Sequence, residues 1–277
     1  MSKDVLVVKS NALIETSYRL TTSEQRIVLI CISQVRRDKV LTDQVMYSVS
    51  AQELSKLCGS NIKTAYRDLK SAALRLKRRE IRITEEPNGE GRKKKTLVTG
   101  WIQSIEYLDG EGVINLRFNH DIIPYLSSLN RCFTCYKLKN VIKMSSTYGA
   151  RIYELIAQWG EIGEREISLS WLREALQLEN KYIQMCDFKK RVLDPAINDI
   201  NQNSNFWIKV FQKKSGRKVT HLNFKFGPKE EEKRTPVISK VLGIRKHLVE
   251  KNARPGESYE QAAIRLKRER KKRAEFV

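Results

Sequence analysis

Between Ser50 and Leu76 a short helix, a turn and a longer helix follow one another almost without spacer, and no other segment restricts the fold so strongly. Ser50-Ala51-Gln52-Glu53 has the spacing of a capping box, so a helix starts there and runs through Leu57. Cys58-Gly59-Ser60-Asn61 supplies residues that tolerate positive φ and therefore a tight turn. Beyond it, Ala65, Leu69, Ala72 and Leu76 recur at helical spacing and predict a helix over residues 62–79. Two such helices about a glycine-bearing turn read as a helix-turn-helix. Strand-like runs at 81–84 and 96–99 follow, and 112–118 alternates as a further strand. The connection 85–95 ends in Arg92-Lys93-Lys94-Lys95, giving the hairpin a basic tip. This order looks like a winged helix, whose wing can lie along a duplex and meet phosphates.

The order recurs. Upstream of the first copy, Thr22-Ser23-Glu24-Gln25 reads as a capping box for an all-apolar helix through Ile27-Val28-Leu29-Ile30-Cys31-Ile32, and 45–49 as a short strand. In the second copy a helix is expected over 146–159, a strand at 167–169 and a short helix over 170–176 with Ser170 as its cap. A turn near 178–180 leads into a longer helix reaching about Asn201, then into a hairpin of 206–211 and 219–226. Its tip, Gln212-Lys213-Lys214-Ser215-Gly216-Arg217-Lys218, is again basic. The fold expected is α+β, with two tandem winged-helix domains and a basic C-terminal extension. Residues 1–130 form the first, 131–227 the second, and 228–277 a tail whose stretch from Ser258 to Arg273 reads as an exposed helix or a solvated run.

Charge places this fold among polyanion binders. Fifty-three Lys and Arg against 32 Asp and Glu leave a net +21 on 277 residues, well above the magnitude of about 2–8 usual for a small domain. DNA, RNA and anionic membranes all attract such a surface, and a charge excess serving only solubility is the plain alternative. The longest apolar run, Ile27 to Ile32, is far short of the roughly 20 residues that cross a bilayer. The start shows no secretion signal, and five scattered cysteines make a poor disulfide framework. A membrane protein, a secreted disulfide scaffold and a mostly disordered chain are thereby set aside in favour of a cytoplasmic globular protein.

Catalytic groups are not expected. His120, His221 and His247 are too far apart in sequence for a paired-histidine nickase, and Gly89–Lys95 lacks the second glycine that a phosphate loop requires directly before its lysine. Cys132-Phe133-Thr134-Cys135 is a lone C-x-x-C, short of a zinc ligand set. No cofactor and no metal are expected. DNA contacts fall instead to Lys63, Arg67 and Lys70 on the first long helix, which also carries Arg75, Lys77, Arg78 and Arg79, and to Lys93, Lys94 and Lys95 on the first wing. In the second copy Phe188, Val192, Ala196 and Ile200 form the packed face of the long helix. Lys189, Lys190, Arg191, Asp194, Asn198 and Asn201 fall elsewhere on it. Lys209, Lys213, Lys214, Arg217 and Lys218 belong to the second wing. Lys and Arg can contact guanine and Asn can pair with adenine, yet each can equally hold a phosphate. Pro195 lacks a backbone donor, so either the helix kinks there or its regular part starts near Asp194.

Tyr148-Gly149-Ala150-Arg151-Ile152-Tyr153-Glu154-Leu155, the segment 188–201 and the Gly216-Arg217-Lys218-Val219 wing together resemble iteron-binding plasmid replication initiators of the Rep superfamily. Ser10-Asn11-Ala12-Leu13-Ile14 and Leu20-Thr21-Thr22-Ser23-Glu24-Gln25-Arg26 resemble the start of the same family, and the likeness covers about residues 5–226. It implies that the second domain reads the main part of an origin repeat in double-stranded DNA. The first domain adds groove and backbone contacts and forms the interface of a homodimer in equilibrium with monomer. It further implies opening of an AT-rich segment, recruitment of the host replication initiator and replicative helicase, and repression of its own promoter by the dimer. By the same resemblance the protein is cytoplasmic and plasmid-associated in a bacterial host, with no membrane partner. Arg151 and Glu154 are expected as helix-surface or interdomain structural residues rather than base readers. A dedicated transcriptional repressor and a nicking or joining enzyme are the competing functions.

Overall fold

The computed structural model describes residues 5–36, 41–87, 96–108, 110–229 and 265. The chain opens with β1 (Leu6–Ser10) and α1 (Asn11–Glu15), where the Ser10 hydroxyl accepts the Leu13 N–H at 3.1 Å. Helix α2 (Thr22–Ser33) follows, and its capping box stands one residue earlier than the spacing suggested. Thr21 is the N-cap, and Glu24 reaches back to the Thr21 N–H at 2.8 Å. Gln25, the expected partner, instead donates to the Thr147 carbonyl at 3.0 Å. The apolar run of α2 is buried on every side, as an all-apolar helix must be.

The first helix-turn-helix consists of α3 (Ala51–Cys58) and α4 (Ile62–Leu76), preceded by β2 (Tyr47–Ser50). Gly59 ends α3 at φ 69°, a left-handed value that glycine adopts without strain. Asn61 caps α4 by accepting the Lys63 N–H at 2.8 Å, and α4 stops three residues short of Arg79. β3 (Glu80–Ile83) pairs antiparallel with β4 (Leu97–Gly100), and β5 (Ile102–Leu108) and β2 flank β6 (Val113–Phe118) in a second antiparallel sheet. β7 (Phe133–Lys137) then returns to pair with β1, Val8 facing Cys135. Strands β1, β5 and β7 were not expected from the pattern.

Beyond β7 come α5 (Gly149–Ala157), β8 (Glu164–Ser168), α6 (Leu169–Ala175), α7 (Met185–Phe188), a π turn over Lys189–Leu193, α8 (Asp194–Asn203), β9 (Phe206–Ser215) and β10 (Lys218–Pro228). Strand order is β8-β10-β9, with Leu222 opposite Ile167. Ser168, not Ser170, stands at the N-cap of α6, and the two hydroxyls bond each other at 2.8 Å. Two tandem winged-helix domains result, and the hydrophobic core runs through both.

A buried ionic cluster ties the chain's start to α5. Lys9 Nζ donates to Glu154 Oε1 at 2.6 Å, and both side chains are only 2% exposed. Tyr136 also hydrogen-bonds Glu154. Arg151 donates to the carbonyls of Ile14 and Thr16 at 2.9 and 2.7 Å and lies over the Tyr18 ring. Burial alone would raise the Glu154 carboxyl, but Lys9 and Arg151 outweigh it and hold the group below the ordinary glutamate value. Arg151 and Glu154 are therefore interior structural residues, not members of a helix surface. The expected tail helix, 258–273, lies outside the described residues apart from Arg265.

Candidate nucleic-acid interface

Helix α4 sorts its cations into two groups. Arg75 and Arg79 turn inward to Glu24, a fully buried carboxylate, with Nε–O distances of 3.2 and 3.0 Å. Lys77 is spent on the carbonyls of Ile102 and Gln103 at 3.1 and 2.6 Å. These residues hold α4 against α2 and β5, although Arg75 and Lys77 stay open to solvent. Lys63, Arg67, Lys70 and Arg78 remain exposed on the outer side, with Lys70 Nζ 5.4 Å from the Tyr107 ring centre. Tyr66 lies between this face and the β5–β6 turn. A Cβ on Gly112, whose φ is +65°, would meet the Tyr66 ring at 2.8 Å.

In the second domain Arg173 fastens the turn of the helix-turn-helix. Its guanidinium donates to the carbonyls of Lys181, Tyr182 and Ile183 at 2.9, 2.7 and 3.2 Å and stacks 4.5 Å from the Phe188 ring. Partial burial lowers its pKa somewhat. The long helix it leads into buries Phe188, Val192, Ala196 and Ile200 and exposes Lys189, Lys190, Arg191 and Asn198. Asn201 leaves the candidate set, because its amide clamps β9 by bonding both the N–H and the carbonyl of Ile208, at 2.9 and 3.1 Å. Asp199, only 7% exposed, accepts from the backbone N–H groups of Ser145 and Ser146 and so anchors the approach to α5. Neither role is visible in a helical spacing pattern.

The second wing exposes Lys209, Lys213, Lys214, Arg217 and Lys218, the last two at a turn that Gly216 makes at φ 60°. Lys213 Nζ is 2.9 Å from Glu166 Oε1, and its hydrogen bond holds the Glu166 carboxyl below its usual value. An exposed pair of this kind contributes little, so an incoming phosphate can take the carboxylate's place. Alternation along β9 also sets Trp207 and Phe211 on the open face between the lysines, with Lys225 Nζ 5.8 Å from the Phe211 ring. Reading the strand without its faces missed these aromatics; the period of two in Trp-Ile-Lys-Val-Phe-Gln-Lys was the available signal. Lys93, Lys94 and Lys95 lie outside the described residues.

Chemically, this arrangement offers anion contacts and base-edge donors. A helix of about 10–12 Å diameter fits a major groove of about 12 Å, and cationic hairpins beside it can follow the phosphates. Among the described residues no group of His, Cys, Asp and Glu is placed to hold a metal ion, and no helix is long and apolar enough to cross a membrane.

Residues 6–157 match the family described as Initiator Replication protein, WH1, and residues 168–226 match Initiator Rep protein, WH2. Two relatives from Escherichia coli are similar over most of the chain. The PI protein is 25% identical over 84% of this chain and 86% of its own length, and a replication initiation protein is 26% identical over 80% and 69%. Among solved structures, a Pi initiator protein in complex with iteron DNA superposes with a TM-score of 0.69 at 24% identity, covering 83% of this chain and all of that one.

Proposed function

The chain belongs to the initiator replication protein family, WH1 and WH2 together, and from that premise we propose that it starts replication of a plasmid by binding repeated sites, or iterons, at the origin. The observation that carries this reading is the doubled helix-turn-helix, with exposed cations on the long helix of both copies and on the tip of the second wing. The similar Pi initiator, crystallised on iteron DNA, supports the choice of ligand.

In this reading, residues 131–227 do the main base reading. Lys189, Lys190, Arg191 and Asn198 face the groove, and Lys209, Lys213, Lys214, Arg217 and Lys218 hold the backbone. Residues 1–130 add contacts through Lys63, Arg67 and Lys70, and through Lys93, Lys94 and Lys95 on their wing. The same domain is the dimer interface. Monomers bind the repeats, favour opening of an adjacent AT-rich tract and bring in the host initiator and helicase, while dimers repress the promoter of the gene. Residues 228–277 extend the basic surface. The protein works in the bacterial cytoplasm and without catalytic chemistry of its own.

The test is genetic. Removing the gene from its replicon and supplying it from a second, compatible replicon should abolish and then restore maintenance. Normal maintenance without the gene, with only its promoter derepressed, would assign the protein to regulation instead.

A further inference from the structure

Phe188, Val192, Ala196 and Ile200 stand four residues apart, and all four are fully buried. In a regular α-helix each step of four overshoots a full turn by about 40°, so three steps would carry Ile200 about 120° off the face of Phe188. The structure absorbs the drift in one place, the π turn of Lys189–Leu193, where the Asp194 N–H reaches the Lys189 carbonyl five residues back. Pro195 supplies a cause. It has no N–H to return to the preceding turn, and in an unbroken α-helix its ring would press on the carbonyl of Arg191, four residues back. Widening that turn relieves the clash. α8 then starts at Asp194 with Pro195 in its first turn, where a missing N–H is harmless.

The wide turn also arranges the surface. Lys189, Lys190 and Arg191 fill the gap between Phe188 and Val192, and all three are exposed. Compared with a continuous α-helix, whatever precedes the π turn is rotated by about a quarter of a turn relative to Asn198 on α8, and Lys189, Lys190 and Arg191, inside the turn, by decreasing parts of that. We infer that Pro195 is a positioning residue for sequence reading. The π turn it enforces sets the angle between the Lys189-Lys190-Arg191 cluster and Asn198, and discrimination between duplex sequences depends on that angle. This inference rests on the assignment of the helix as the base reader.

The experiment uses the full chain, a duplex enriched by the wild type from a random-sequence pool, and duplex from the unselected pool. Pro195→Ala lets the helix close as α. Affinity for the unselected pool and its salt slope should stay as in the wild type, while the preference for the enriched duplex falls about tenfold or more. A matched pair guards against a folding defect. A chain with Lys190 deleted and Pro195→Ala has buried positions spaced three, four and four, which suit an α-helix. Lys190→Ala lacks the same cation but keeps the π turn. The deletion chain should fall about tenfold below Lys190→Ala in preference, because both lack the cation and only Lys190→Ala keeps the π turn. Undiminished preference in Pro195→Ala, or a deletion chain that matches Lys190→Ala, overturns the inference and leaves base reading by the helix intact. An equal fall on enriched and unselected duplex overturns it too, since that is mere structural damage. A wild type that enriches no sequence overturns both.

Discussion

Replacing Lys9 by Met removes the closest cation of the buried cluster and leaves the Glu154 carboxylate 2% exposed with Arg151 and the Tyr18 hydroxyl, each at 3.4 Å, and the Tyr136 hydroxyl as its remaining partners. Stripping a buried ion of one partner costs about 3–5 kcal/mol, and because three partners persist, a loss of about 3 kcal/mol at neutral pH is expected. Such a loss moves a urea midpoint by about 1 M or more for a slope of about 2–3 kcal/mol/M. The loss should also depend on pH in a definite direction. Lys9 and Arg151 hold Glu154 below its ordinary value in the folded wild type, so its contribution is present above that value and fades as pH falls through the lowered one. Without Lys9, burial acts on the carboxyl with less opposition and pushes its pKa upward. Protonation then relieves the variant first. The stability gap should therefore be widest near neutrality and shrink as pH drops into and below the carboxylate range. Urea unfolding of both chains at pH 7 and at about pH 4.5 measures this. A gap under about 1 kcal/mol at pH 7, or one that does not narrow on acidification, would refute the assignment of the pair as a paired buried charge.

Three further outcomes are expected. Lys213→Ala and Lys214→Ala should each weaken binding to every duplex alike and lower the slope of log affinity against log salt by up to about one, as read by anisotropy titrations across salt. Lys190→Ala or Asn198→Ala should weaken the preferred site by about 1–3 kcal/mol while relaxing preference at one base pair, and a uniform loss across sequences would move the residue to the phosphate set. Gly112→Ala puts a Cβ 2.8 Å from the Tyr66 ring at a φ of +65° and should lower stability by about 1–2 kcal/mol. A calorimetric melt at the wild-type temperature would contradict that.

Local signals served the fold where the sequence itself carries the determinant. Ser50 and Glu53, Gly59, and the spacing of Ala65, Leu69, Ala72 and Leu76 placed the first helix-turn-helix within a few residues. They did not serve where a distant partner decides. β1 is strand because Val8 meets Cys135 more than 120 residues away, and no pattern within Leu6–Ser10 says so. Thr22 and Gln25 have the form of a capping box, yet Glu24 prevails because Arg75 and Arg79 converge on it. The same limit applies to the interface. Composition counts Arg75, Lys77, Arg79 and Asn201 with the DNA-facing polar residues, but bonds to other elements of the fold claim each of them. Setting these four aside leaves a smaller candidate set. The four-residue spacing of Phe188, Val192, Ala196 and Ile200, together with Pro195, did hold the information for the π turn, and only the arithmetic of the helix was needed to extract it.

The most direct measurement is the affinity of the purified chain, at about 0.15 M salt, for a duplex carrying whatever direct repeats flank its own gene, set against the same bases in scrambled order. The repeats should win by about a thousandfold or more, the lower end of the range for specific DNA readers. Equal affinity for the two duplexes would leave only a basic protein that holds any polyanion.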